Sequence, residues 1–465
     1  MSNLIAERLK SRSWETRYGY PPLFGRKRLL QLLWPLVVEQ LLAVFVGMVD
    51  VLMVASLGEA AVSGVALVDS LNNLTIQVLF AITAGGTVVC AQFVGAGNKR
   101  EAGRTGGQLV LMTTVFEILV MILCIAGRGP ILHLMFGGVE PDVMANALTY
   151  LAVTALSFPF LAVYNSGASI FRASGNTKVS MQVSLMMNLL NIAGNAICIF
   201  GLGMGVLGVA IPTFLSRAFA AVTIMILLQN KENEVRIRSL TDLKPDTKIM
   251  RRILAIGIPN GVESGLFQLG KVMLQSLVST LGTASIAAFA VASNLVPYLY
   301  LPGNALGAAM ITVVGQCYGA DDKEQARFYM KKLVILNYVM LSVICTVLLI
   351  GNRFFVGCYR LTPESAPLAE GLVFIHTVAM VIWPLGFLIP YYFRASGHAA
   401  LTMAIAVFAM WTFRIGLAYV NIRVLHMNVL GIWYAMFVDW IFRVAVYLIL
   451  LHREKHKMEN RPADV

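Results

Sequence analysis

An all-α polytopic membrane protein, with twelve transmembrane helices in two parallel-repeat six-helix bundles around a central cleft, is the fold this sequence predicts, and three observations predict it. First, 58% of the residues are hydrophobic and only 13% charged, with a mean hydropathy of +0.75, too apolar for a soluble globule. Second, twelve mostly apolar stretches run along the chain, many of about 20 residues, the length that crosses a hydrocarbon core about 30 Å thick. Third, the chain is written twice. Pro35 and Glu39, Leu57-Gly58, Gln92 and Gly95, Phe171-Arg-Ala-Ser-Gly175 and Val206-Leu-Gly208 return as Pro259 and Glu263, Leu281-Gly282, Gln316 and Gly319, Phe393-Arg-Ala-Ser-Gly397 and Val429-Leu-Gly431, at an offset of 222 to 224 residues. A register held across several apolar segments marks two similar embedded halves, and such halves normally clasp a solute site between them near the bilayer midplane.

The stretches lie near 31–57, 62–91, 107–127, 144–167, 178–200, 205–228, 252–281, 284–316, 331–350, 367–391, 400–422 and 429–451. Six per half return each half to the face it left, so the repeats are parallel, related by an axis along the membrane normal. A polar linker at 229–251 separates a six-helix lobe at 31–228 from a second at 252–451, with an N-terminal segment at 1–30 and a tail at 452–465. Pro245 within the linker discourages a continuous helix. Stretches 62–91 and 284–316 exceed the bilayer and carry Gly85-Gly86 in one and Pro297, Pro302 and Gly303 in the other, so both are expected to tilt or bend.

A net charge of +12 raises the question of a nucleic-acid partner, and the distribution of the charge answers it. The N-terminal segment, the 229–251 linker, the tail and the alternate connections hold 28 Lys and Arg, against four (Arg128, Arg353, Arg360 and Arg423) on the opposite side. This bias places both termini and the linker in the cytoplasm. Nucleic-acid binding needs a basic face interleaved with aromatics, which charges scattered over separate loops do not form. The six cysteines show no short paired spacing and the six histidines no ligand spacing, so neither a disulfide framework nor a structural metal is expected. About 30 polar and basic residues precede the first span, the reverse of a cleavable signal, and that span is expected to stay as an anchor.

An ionised group at mid-bilayer costs at least about 2.5 kcal/mol, so each intramembrane charge needs a partner, a wet cavity or a neutral state. Asp50 is the informative one. It lies in the outer half of the first span, and the repeat places Leu274 opposite it, so one half carries an acid that the other lacks. Asn188, Asn191 and Asn195 recur at i, i+3 and i+7 on the fifth span, one polar stripe, with Asn195 at the depth of Asp50. Asp50, Asn191 and Asn195 are therefore the candidate cation-coupling residues, able to take a proton on Asp50 or to surround Na⁺ with oxygens. Interhelical hydrogen bonding is the plainer reading of the same residues. Glu39 shares a helix face with Asp50, and Glu39 and Glu263 each follow a proline by four residues. With Lys271 they are the candidate cleft residues, placed to meet a cationic solute; pairing with a buried base is the alternative, for Glu263 with Lys271 or Arg414. Asp439 and Arg443, at i and i+4, read as an internal ion pair. Asp69 and Glu117 show no evident partner. No convergent catalytic set is present, so an enzyme is not expected.

On the repeats, the Gly47-Met-Val-Asp-Val-Leu-Met-Val-Ala-Ser-Leu-Gly58 segment around Asp50, the Asn191-Ile-Ala-Gly-Asn195 stretch, the Gln92-Phe-Val-Gly-Ala-Gly97 and Gln316-Cys-Tyr-Gly-Ala320 loops and both Phe-Arg-Ala-Ser-Gly loops, the chain resembles the multidrug and toxic compound extrusion (MATE) family over essentially all twelve spans. The resemblance implies a secondary antiporter that exports small lipophilic organic cations in exchange for inward H⁺ or Na⁺ by alternating access, with no cofactor, and it implies cation coupling for Asp50. The expected setting is a bacterial inner (plasma) membrane, with the lipid bilayer as partner, no nucleic acid, and a monomer as the working unit. One branch often has an aspartate where Asn195 stands, and another has a glutamate where Phe267 stands, so either ion remains open. A flippase for a lipid-linked saccharide is the alternative; it needs cleft cations, for which Lys271 and Arg414 are the available pair.

Overall fold

The protein is described from a computed structural model, which covers residues 22–237, 242 and 244–459. The expected N-terminal segment as far as residue 21, Arg238 in the linker and the tail beyond 459 lie outside the described residues. The described residues are mostly helical, and none of them forms a strand. Among the described residues, nine helices are long and apolar enough to cross a membrane: Arg26–Ala55, Glu59–Gly95, Lys99–Phe136, Thr177–Gly201, Leu207–Gln229, Thr283–Gly319, Lys323–Ile350, Ala399–Arg423 and Leu430–His456. Two bent pairs, Pro141–Leu156 with Phe158–Ala173 and Ser365–Ala379 with Trp383–Ala395, form the fourth and tenth spans. The seventh span, Thr247–Ser279, completes twelve. It is the least apolar, because Asn260, Glu263 and Lys271 interrupt it.

The repeat in the sequence is a repeat of turns and caps. Gly58 and Gly282, joining spans one to two and seven to eight, adopt φ of 95° and 87°, a region that a Cβ disfavours. Asn98 and Asp322, also related by the repeat, cap the third and ninth spans by accepting from Glu101 N at 3.2 Å and Gln325 N at 2.8 Å.

The bends differ from expectation. The second span runs as one α-helix from Glu59 to Gly95, and its glycines serve contact: a Cβ at Gly85 would strike the Ile253 carbonyl, and one at Gly86 the Leu109 side chain. In the eighth span a 3₁₀ stretch at Val296–Tyr300 takes up Pro297, and Pro302 stands in the first turn of the α-helix that follows. The large angles, 47° and 54°, fall in spans four and ten, where Pro159 and Pro384 stand in the first turn of the second helix and deny a donor to the turn before.

Packing shows how the lobes are joined. Toward the face opposite the termini, one apolar core draws only on residues 54–210 and another only on residues 274–440. Toward the terminal face both cores cross between halves. Leu29, Leu32, Leu33 and Leu36 of the first span sit among Leu306, Met310, Tyr329 and Tyr392 of the second half. Ile249, Ile253 and Ile256 of the seventh span sit among Leu79, Val88, Leu109 and Ala168 of the first. Each of these two spans therefore begins in the other half's core, and Pro35 and Pro259 stand where it crosses into its own. Polar bonds reinforce the junction reciprocally: Gln92 Nε2 donates to Ala395 O at 2.9 Å, and Gln316 Nε2 to Ala173 O at 2.7 Å. Spans two and eight meet so closely there that a Cβ on Gly95 would overlap the Gln316 carbonyl, and one on Gly319 the Gln92 carbonyl. The linker is tied to the first lobe, with Gln108 Nε2 donating to Asp242 O and Lys244 O, and Arg104 bridging to Asp246 at 3.0 Å.

Gly95→Val and Gly319→Val are expected to lower stability by about 1–3 kcal/mol each through overpacking, while Gly47→Ala, with nothing within 4 Å of its Cβ, leaves it unchanged. Thermal unfolding of the purified proteins in detergent checks this.

Candidate functional site

The acids of the two crossing helices are held by the repeated loops. Arg172, from the first Phe-Arg-Ala-Ser-Gly loop, donates Nη1 to Glu39 Oε1 at 3.1 Å, while Ser180 donates to Glu39 Oε2 at 3.1 Å. In the second half Arg394 donates Nη2 to Glu263 Oε1 at 2.6 Å and Nε to Thr402 Oγ1 at 3.3 Å. The base for Glu263 is thus Arg394, not Lys271 or Arg414. Lys271 lies eight residues on, about 12 Å along the helix axis, whereas the loop after the tenth span returns at the depth of Glu263. Lys271 and Arg414 instead flank one ring, their cationic ends 5.1 and 5.3 Å from the Phe267 centroid. A pocket of about 210 Å³ between spans seven, eleven and twelve touches Glu263, Phe267, Met410, Trp411 and Arg443.

Asp50, partly exposed, is reached by the fifth span. Asn195, fully buried, donates Nδ2 to Asp50 Oδ1 at 3.1 Å and to Asn191 Oδ1 at 3.3 Å. Asn191 in turn donates to Thr213 Oγ1 on the sixth span at 3.0 Å. Asn188 stays outside this chain, 3.5 Å from Ser184 Oγ. The Oδ1 of Asn195 is buried without a donor, so an unsatisfied oxygen stands beside a carboxylate. Asp50, Asn195, Asn191 and Thr213, the last of which the sequence reading left out, thus form one hydrogen-bonded chain across spans one, five and six. Immediately beyond Asn195 the helix loosens into a π segment, Ile197–Gly201, a distortion frequent at functional sites.

The same lobe gathers further polar groups. Asp69 Oδ1 accepts from Asn72 Nδ2 at 3.3 Å and from Tyr150 OH at 3.5 Å. Arg217, from the sixth span, donates to Ser157 Oγ at 2.7 Å and interacts electrostatically with Tyr150, Asp69, Glu117 and Asp50. Sequence reasoning did not single out Arg217, although a lone base inside the apolar run 205–228 was the available signal. Glu117 is 0% exposed, and neither of its oxygens has a hydrogen-bond partner.

The second lobe offers no counterpart to Asp50, since Leu274 packs in its core. Its buried acid, Asp439, is 2.7 Å from Arg443 Nε, the expected pair, and 3.9 Å from Arg414 Nη1. Its tenth span presents Trp383, Phe387 and Tyr391 at i, i+4 and i+8, and Tyr300 stacks on Trp383 at 5.0 Å. Gly303 and Gly307 of the eighth span admit this stripe, since a Cβ on either would meet the Trp383 or Tyr391 ring. That aromatic face was legible as helical spacing and was passed over.

A family model, MatE, matches residues 35–197 and 259–420. An uncharacterized transporter YisQ of Bacillus subtilis is 25% identical over 90% of this chain and 92% of its own. A probable multidrug resistance protein NorM of Thermotoga maritima is 25% identical over 91% of each chain. Among solved structures, a MATE protein in a bent conformation superposes with a TM-score of 0.86 at 20% identity, over 93% of this chain and 96% of that one.

Removing one member of a mostly buried ion pair leaves an uncompensated charge. Arg172→Met or Arg394→Met is therefore expected to destabilise by about 3 kcal/mol, and pairing either with Glu39→Leu or Glu263→Leu should recover much of the loss. Thermal unfolding across each double-mutant cycle measures the coupling, and additive effects would contradict it.

Proposed function

Because the chain belongs to the MatE family, we propose that it is a secondary active antiporter of a bacterial inner membrane that exports lipophilic organic cations in exchange for inward H⁺ or Na⁺. The observation that carries this reading is the carboxylate of Asp50, present in one lobe only, with Asn195, Asn191 and Thr213 in a hydrogen-bonded chain behind it. Cation binding neutralises Asp50, and the first span then repacks against the fifth. A cleft open on the outer face closes as the terminal-face junction of Gln92 and Gln316 parts. Each charge moving inward contributes about 2.3 kcal/mol per 100 mV, enough when coupled to drive export uphill. The reading takes both termini as cytoplasmic and the monomer as the unit. The names of its relatives, which include multidrug resistance and multidrug export proteins, support a drug-like cargo.

Glu39, Glu263 and Lys271 are assigned to the cleft. The first two act as ion-paired gates whose arginines exchange with a cationic solute, and Lys271 sets the polarity of the opposite wall. One observation favours a second reading: two cations flanking Phe267 suit an anionic headgroup, as a flippase for a lipid-linked saccharide requires.

Reconstituted into liposomes with a fluorescent organic cation, the wild type is expected to export it under an imposed pH or Na⁺ gradient, and Asp50→Asn to lose gradient-driven export while unfolding at the wild-type temperature. Normal export by a folded Asp50→Asn would overturn the coupling role, and indifference to both gradients would favour the flippase.

A further inference from the structure

A second acid in the first lobe stands apart from the Asp50 chain. Glu117 lies midway along the third span with no exposed surface, and both of its oxygens lack a donor. Asp50 has Asn195, and Asp69 has Asn72 and Tyr150. Of the three carboxyl groups Glu117 alone has no hydrogen-bond donor among the described residues, and a carboxylate without one in a protein interior is very costly. The groups around it are few. Arg217 from the sixth span and Cys124 from its own helix interact with it, and Arg217 interacts in turn with Asp69 of the second span, Tyr150 of the fourth and Asp50 of the first. One guanidinium thus serves three acids. It touches none of them in an ion pair, and its hydrogen bond goes to Ser157.

We propose that Glu117 is a proton-binding site of the first lobe, filled while Arg217 answers the other two carboxylates and emptied when one of those is neutralised. The logic is charge balance in a poorly solvated interior. While Asp50 and Asp69 are ionised, the field of Arg217 is already shared, and Glu117 keeps its proton. When a cation arrives at Asp50, one competing negative charge disappears, Arg217 becomes available to Glu117, and the O–H bond of its carboxyl group breaks, leaving the carboxylate and passing the proton to water. Reciprocity follows from linkage: a proton on Glu117 must weaken cation binding at Asp50 by the factor by which that cation weakens the proton. Glu117 sits beyond hydrogen-bond contact with the Asp50 chain, so it acts through the guanidinium and is a positioning and charge-balancing group, not a ligand of the coupled ion.

This inference rests on the antiport reading only for what arrives at Asp50; the existence of the proton is tested separately. Infrared difference spectroscopy of the reconstituted full chain, between alkaline and acidic buffer and with H₂O exchanged for D₂O, reads the carbonyl stretch of a buried protonated carboxyl group. The wild type is expected to show such a band even in alkaline buffer, Glu117→Gln to lose it, Glu117→Asp to keep it at a shifted position, and Asp50→Asn, which carries no charge at that position, to show it weakened in the same buffer. Adding Na⁺ should diminish the wild-type band if Na⁺ is the coupled ion. A band that survives in Glu117→Gln, or a wild type without one, overturns the assignment. A band at full strength in Asp50→Asn would overturn the charge-balance coupling, whereas loss of gradient-driven export in that variant bears on the antiport reading alone. Should Glu117→Gln fail to fold, the shift in Glu117→Asp still decides.

Discussion

The arrangement on which the rest depends is the crossing of the first and seventh spans. Each starts among side chains of the opposite half, Leu29 to Leu36 in one direction and Ile249 to Ile256 in the other, and each passes into its own lobe at a proline. Hydrophobic burial at the terminal face therefore holds the halves together, while toward the other face each lobe has a core of its own. A cleft between the lobes follows from where the shared packing stops. The close approach of spans two and eight at Gly95 and Gly319, and the paired glutamine bonds, can exist only because the crossing has already brought those backbones together.

Ionisable groups in this fold sort by whether they belong to the repeat. Glu39 with Arg172 and Glu263 with Arg394 are matched, largely buried and neutral as pairs, and they fasten each crossing helix to the loop of its own lobe. The unmatched groups differ in sign. The first lobe keeps Asp50, Asp69 and Glu117 around a single Arg217, and the second keeps Arg414 and Arg443 around a single Asp439, with Lys271 beside Phe267. Scaffold and charge thus obey different rules: the former is duplicated, the latter is opposed across the cleft.

Much of this was legible in the chain. Span number, the two-lobe division and the proximity of Asn195 to Asp50 follow from hydropathy, register and helical period, all of them local or strictly repeated signals. The partner of Glu263 was missed because the Phe-Arg-Ala-Ser-Gly loops and the Pro-x-x-x-Glu helices were treated as separate motifs, although two features that recur at one offset are natural candidates for mutual contact. The second span stays one helix at Gly85-Gly86 for a physical reason. Glycine in an apolar helix permits close approach as readily as bending, and only the neighbouring helix decides which; at Gly85 it is the backbone near Ile253. Arg217 is hidden for another reason: it is a lone base in the apolar run 205–228, and the acids it interacts with come from other helices.

The exchanged helix starts also bear on how independent the duplicated parts have remained. Expressed as two fragments divided in the linker, each would be missing a set of leucines or isoleucines from the middle of its own hydrophobic interior and would display an orphaned set of its own. What began as a copied bundle has become a pair of obligate complements, each finishing the fold of the other.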